Sequence, residues 1–114
     1  LYGTEGDDDD CKYHVKIEVP ALCEGKQAVI KLTLTSKSTN KGVTGAAPEL
    51  ETTLDGAAGP IADESTEKGD GVYEVPALFD KPGRWVGKFH FFETCSDTPE
   101  DSPHGHAGFF FQVP

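Results

Sequence analysis

Apolar residues recur at every second position in this chain and nowhere at convincing helical spacing, and that period limits what it can fold into. Tyr13, Val15, Ile17 and Val19 alternate with His14, Lys16 and Glu18. Successive side chains of a strand leave opposite faces, so the first set meets a core and the second meets water. Pro20 has no amide hydrogen to give a ladder and ends that strand, and Gly25 marks the return. Ala28, Ile30, Leu32 and Leu34 repeat the pattern against Lys31, Thr33 and Thr35. The two runs are expected to lie antiparallel. Residues 36–45, SKSTNKGVTG, form a loop by their turn residues. Pro48, Leu50, Thr52 and Leu54 predict a shorter third strand. Residues 55–70 read mostly as loop, with Ile61 as the apolar anchor of a short edge strand.

The remaining stretch, Gly71 to Val113, holds the single Trp, all seven Phe and three of the four His. Tyr73, Val75, Ala77 and Phe79 alternate inward, and Lys81, Pro82 and Gly83 make a tight turn. Trp85, Phe89 and Phe91 then point inward, with Gly87 leaving room for a neighbour. Residues 95–106 form a loop, and Phe109, Phe111 and Val113, or the opposite parity, close the sheet. Short strands at roughly ten-residue spacing without helices predict an all-β sandwich. A chain of 114 residues makes one domain. Residues 1–10, LYGTEGDDDD, are expected as an acidic flexible tail, and 11–114 as the sandwich.

Charge and cysteine content narrow the function classes. Twenty Asp and Glu against ten Lys and Arg leave a formal charge of -10, which repels nucleic-acid phosphate and anionic lipid but suits cations. No apolar run is long enough to span a membrane. The chain has no Met, even at position 1, so a processed product is expected, with any signal peptide already removed. Three Cys in a small β domain point to an oxidising compartment and leave one thiol over from any single disulfide. Ser96 and Ser102 have His nearby but no strand-turn-helix elbow, and no Gly-rich phosphate loop follows a strand, so no enzyme is expected.

The segments GVYE at 71–74 and PGRW at 82–85, with YHVKIEVPALCEGKQAVIKLTL at 13–34, resemble YtkA-like and FixH-like domains across about residues 12–113. The resemblance implies an immunoglobulin-like antiparallel β-sandwich of about seven strands, placed extracytoplasmically in the periplasm or at the cell surface. Some such domains are linked to copper handling, with His near the start of the first strand and more before the last. Here those positions are His14, His104 and His106. The chain departs from the pattern in lacking Met and in carrying Cys and a long acidic insertion before HGH.

Strand order suggests where such a site would lie. If strands alternate up and down, Cys11, His14, Cys95, His104 and His106 gather at one end, with Cys23 at the other. A Cys11–Cys95 disulfide is one reading of the cysteines, worth about 4 kcal/mol at the upper end for so long a loop. The other makes Cys95 a thiolate ligand, although the axial Met of a blue-copper site is missing. His104 and His106, two apart, point the same way if extended and can share one copper or zinc ion; a solvated loop is the plain alternative. Asp97, Glu100 and Asp101 could complete the shell. His90, outward beside Val86 and Phe92, reads as a surface or interface residue. The leading expectation is a copper-binding carrier or sensor domain. The competing one is a structural or interaction module of a bacterial surface lipoprotein. That module would be anchored by lipid upstream of residue 1 and would meet another envelope protein through Phe92, Phe110 or the spare thiol.

Overall fold

A computed structural model describes residues 5–7, 12–91 and 105–114, with backbone alone for Gly105 and His106. The described residues contain no helix. They form nine strands: β1 (Glu5–Asp7), β2 (Tyr13–Glu18), β3 (Gln27–Ser36), β4 (Glu49–Leu54), β5 (Ala57–Ala58), β6 (Thr66–Gly69), β7 (Val72–Leu78), β8 (Gly83–Phe91) and β9 (Gly105–Val113). One sheet runs β1-β2-β3-β7-β6 and the other β5-β4-β8-β9, and every pairing is antiparallel. Set aside the two shortest strands, β1 and β5, and seven remain. Their order, β2-β3-β7-β6 facing β4-β8-β9, is that of the constant-type immunoglobulin sandwich. The expected class and strand number therefore hold, with two short edge strands added.

The alternation that predicted the strands also fills the core. Val15, Ile17, Ile30, Leu32, Leu34 and Val75 are buried from one sheet; Trp85, Phe89, Phe91, Phe109 and Phe111 are buried from the other. Between them the aromatic rings meet edge-on or tilted: Phe79 lies 5.5 Å from Trp85 and 5.3 Å from Phe111, and Phe89 lies 5.9 Å from Phe109. Offset contacts of this kind suit the ring quadrupole. The Trp85 indole N–H donates to the Lys81 carbonyl at 3.0 Å, which pins the turn before β8. Gly87 has the role expected of it: a Cβ there would stand 2.3 Å from a ring carbon of Phe111, its diagonal neighbour on β9.

Tyr73 ties the loop 37–48 to the core. Its hydroxyl donates to the Val43 carbonyl at 2.7 Å and accepts from the Ala46 amide at 3.1 Å. Burial pushes this phenol above the ordinary tyrosine range, with nearby Glu67 adding to the effect.

Four sequence expectations need correction. Gly105 and His106, expected at the end of the loop 95–106, open β9 instead. Ile61 is no anchor: it is 61% exposed, while its neighbour Ala62 is buried and bridges to Leu50. The stretch 55–70 is less of a loop than expected, because it holds β5 and β6. Both arise from Asp-Gly turns: Asp55 and Gly56 have φ of 51° and 83°, and Asp70 and Gly71 have 54° and 80°. Two successive positive φ values are the type I′ hairpin geometry. Finally, Glu5–Asp7 lie within the segment expected to be a flexible tail but pair with β2 as β1.

Candidate functional site

Four of the five residues that the strand-order argument gathered fall wholly or partly outside what the structure describes. Cys11, Cys95 and His104 lie outside the described residues, and His106 is placed by its backbone alone. The expected disulfide and the His104 ligand therefore have no geometry here. Cys23, in the connection from β2 to β3, is exposed with a free thiol.

The topology does bring the start of β2 to the end of β8, as the up-and-down argument required. Tyr13 and Phe91 meet edge-on across the core at 5.8 Å. His14 follows Tyr13 and His90 precedes Phe91, so each imidazole stands on the outer face of its own sheet. The sandwich separates them. In register, His106 is the partner of His90, not a neighbour of His14.

The two imidazoles have different surroundings. His14 is flanked by carboxylates at both ring nitrogens: Nε2 lies 2.6 Å from Glu5 Oε1, and Nδ1 lies 3.6 Å from Asp7 Oδ1. Lys37 donates to the other oxygen of Asp7 at 2.9 Å. Glu5 is held below the ordinary carboxylate range chiefly by its hydrogen bond to His14, and Asp7 chiefly by its hydrogen bond to Lys37.

His90 lies at the middle of a row across three strands, with Glu49 of β4 opposite it on one side and His106 of β9 on the other. Its Nε2 is 3.1 Å from Glu51 Oε2. The next row is Glu51, Lys88 and Gly108, the last having no side chain. Directly opposed antiparallel residues hold their Cβ atoms about 4.5–5.5 Å apart. A carboxylate on one ring nitrogen is also the usual device that fixes the tautomer of a ligating histidine. Among the described side chains, no group of three or more His, Cys, Asp or Glu is arranged to hold a metal ion.

Sequence reasoning passed over His90 because alternation alone assigns Val86 and Phe92, the latter outside the described residues, to its face. The signal that could have found it is register. A long β8 followed by a long β9 must pair antiparallel, and burial of Phe109 and Phe111 fixes the parity that puts His106 beside His90.

Phe110, offered as an exposed contact residue, is half-buried, with the Arg84 guanidinium 4.2 Å above its ring. Val86, on the same outer face, is 48% exposed. Among the described residues no helix is long and apolar enough to cross a membrane. No family model, curated protein or solved structure matches the chain.

Proposed function

We propose that this domain binds a transition-metal ion, copper before zinc, through His90 and His106 on the outer face of the four-stranded sheet, and carries or senses the ion rather than doing chemistry on it. The observation that carries the reading is the register pairing of His90 with His106 beside Glu49 and Glu51. Two imidazoles and a carboxylate make a nitrogen-and-oxygen donor set. Such sets follow the Irving–Williams order, in which Cu(II) ranks above the other divalent first-row ions. His104, two residues ahead of His106, is the nearest further imidazole in sequence. The formal charge of -10 favours accumulation of cations around the domain. The resemblance to YtkA-like and FixH-like domains supports the same reading and an extracytoplasmic place for it. His14 is left out of the ligand set because it stands on the other sheet and has a carboxylate beside each of its ring nitrogens, where His90 has one beside Nε2.

Calorimetric titration with Cu(II) and Zn(II) at neutral pH tests this, in a Cys23→Ser background so that the exposed thiol neither binds nor reduces copper. One equivalent should bind. Replacing His90 or His106 by Ala should weaken binding far more than replacing His14. Glu51→Gln should cost on the order of tenfold, the lower end for a group that orients a ligand. Failure to bind stoichiometrically, or binding indifferent to His90 and His106, removes the proposal.

A second reading, an interaction module of the cell envelope, is favoured by the free thiol of Cys23. A Cys23-dependent dimer on non-reducing electrophoresis, without metal binding, would select it.

A further inference from the structure

The described strands leave four sheet edges, β1, β6, β5 and β9. An edge presents backbone donors and acceptors that another strand can take up, and proteins blunt it by shortness, charge, proline or a bulge. Three of the four edges are blunted. Strand β1 has three residues, two of them carboxylates, and β5 has only two residues. Strand β6 has four exposed residues, with Glu67 and Lys68 among them and a register shift between Glu67 and Gly69. Strand β9 has none of these devices. It runs nine residues, GHAGFFFQV, without Asp, Glu, Lys, Arg or Pro, and pairs with β8 in an unbroken register. Every other strand longer than two residues carries at least one Asp, Glu, Lys or Arg. Among the described residues, β9 has a strand on one side only.

The order of residues along β9 selects what fits beside it. Its first half is small, with Gly105, Ala107 and Gly108; its second half is bulky, with Phe110, Phe111 and Val113. Two such strands laid antiparallel about a two-fold axis through Phe109 pair along their whole length. Gly105 then faces Val113, Ala107 faces Phe111 and Gly108 faces Phe110. A small residue of one copy meets a bulky residue of the other at each of these positions. His106 faces Gln112, and no like charges are opposed. Directly opposed residues are the pairs that interact in a sheet. A two-fold contact uses one patch twice, so the patch must complement itself, as this one does. The formal charge of -10 makes two copies repel, and the approach costs least along a strand that carries none of it.

We propose that two copies of this domain join β9 to β9 in this register, making their four-stranded sheets one continuous sheet. The contact lies in the plane of the sheet. It leaves the outer face that carries His90 uncovered and needs neither a bound ion nor the Cys23 thiol, so it stands apart from both readings above.

The test uses the full chain with Cys23→Ser, in EDTA, by sedimentation velocity from micromolar to millimolar concentration. A monomer–dimer equilibrium should appear, and it should strengthen with salt as the like net charge is screened. One strand edge is a small interface, at the weak and transient end of the range. Gly108→Glu should weaken dimerisation by about tenfold or more, because the carboxylate must shed water against the Phe110 ring of the other copy. The monomer should accept this change: a Cβ at position 108 meets only the Gly87 carbonyl oxygen, at 3.8 Å, and the position is opposite Lys88. Ile61→Glu, the same change of charge at an exposed site outside every strand, should leave the equilibrium nearly as it was. In an equal mixture of isotope-labelled and unlabelled chains, filtered NOEs should join Gly108 of one copy to Phe110 of the other. A chain monomeric over the whole range overturns the proposal. So does a dimer weakened equally by both substitutions, or one whose intermolecular contacts join other strands.

Discussion

The two sheets share one core and build it differently. The five-stranded sheet contributes mostly aliphatic side chains, Val15, Ile17, Ile30, Leu32, Leu34 and Val75, beside the rings of Tyr13 and Tyr73. The four-stranded sheet contributes rings, Trp85, Phe89, Phe91, Phe109 and Phe111, and must leave gaps for them at Gly87 and Ala107. Branched aliphatic chains of similar size tolerate exchange, because the vacancy or excess is about one methylene. Rings fixed edge-on against glycine do not. The outer faces differ as well. The five-stranded sheet carries spaced charge pairs, Lys31 with Glu18 at 3.8 Å and Lys68 with Glu74 at 3.5 Å. The four-stranded sheet carries the Arg84–Phe110 stack, an exposed Val86 and the His90 row. The four-stranded sheet thus bears both the ring-on-ring packing and the candidate chemistry, while the core face of the five-stranded sheet is the more forgiving frame.

The sharpest way to break that contrast is to truncate one residue of each kind. Phe89→Ala removes a fully buried ring and its edge contact with Phe109, and should cost about 3–5 kcal/mol in denaturant unfolding. Ile30→Val, equally buried in the other sheet, should cost about 0.5–1.5 kcal/mol. Equal losses would mean that neither sheet dominates the core.

Overpacking probes the same difference at smaller scale. Gly87→Ala puts a methyl where 2.3 Å separates it from the Phe111 ring, so the ring must move, at about 1–3 kcal/mol. The double variant with Phe111→Leu should be less than additive, because the smaller side chain makes room for the methyl. Strict additivity in the cycle would show that the strain lies in the backbone of β8 instead.

Where burial fixes structure, the fold was legible in the sequence. Tyr13 to Ile17, Ala28 to Leu34, Tyr73 to Phe79 and Trp85 to Phe91 announce their inner faces by alternation, and β2, β3, β7 and β8 follow. Strand β6, Thr66–Gly69, is exposed at all four positions, so no apolar period could reveal it. The Asp55-Gly56 and Asp70-Gly71 pairs could have, since Asp-Gly is a strong short-range hairpin signal even without flanking hydrophobic residues. Strand β1 escaped for a different reason: its charges look like a solvated tail until Lys37, thirty residues from Asp7, supplies a partner. The site was half legible. That the ends of β2 and β8 meet came from strand order; that His14 and His106 belong to different sheets needed the pairing of β9.

The smallest effect should come from the outer face of the five-stranded sheet away from β1. Lys68 and Glu74 are each about half exposed and 3.5 Å apart, on the neighbouring strands β6 and β7. A pair so placed keeps most of its hydration, and ordering two long side chains offsets much of the attraction. Strand β6 should instead be held by its ladder to β7 and by the Asp70-Gly71 turn, where a Cβ on Gly71 would meet the Leu34 carbonyl at 2.2 Å in a backbone with φ of 80°. Glu74→Gln should therefore shift the unfolding free energy by no more than about 0.5 kcal/mol, while Gly71→Ala should exceed it several-fold. If Glu74→Gln costs as much as Gly71→Ala, the outer charges stabilise this sheet as strongly as its turn does, and the contrast between a packed inner face and a passive outer one fails.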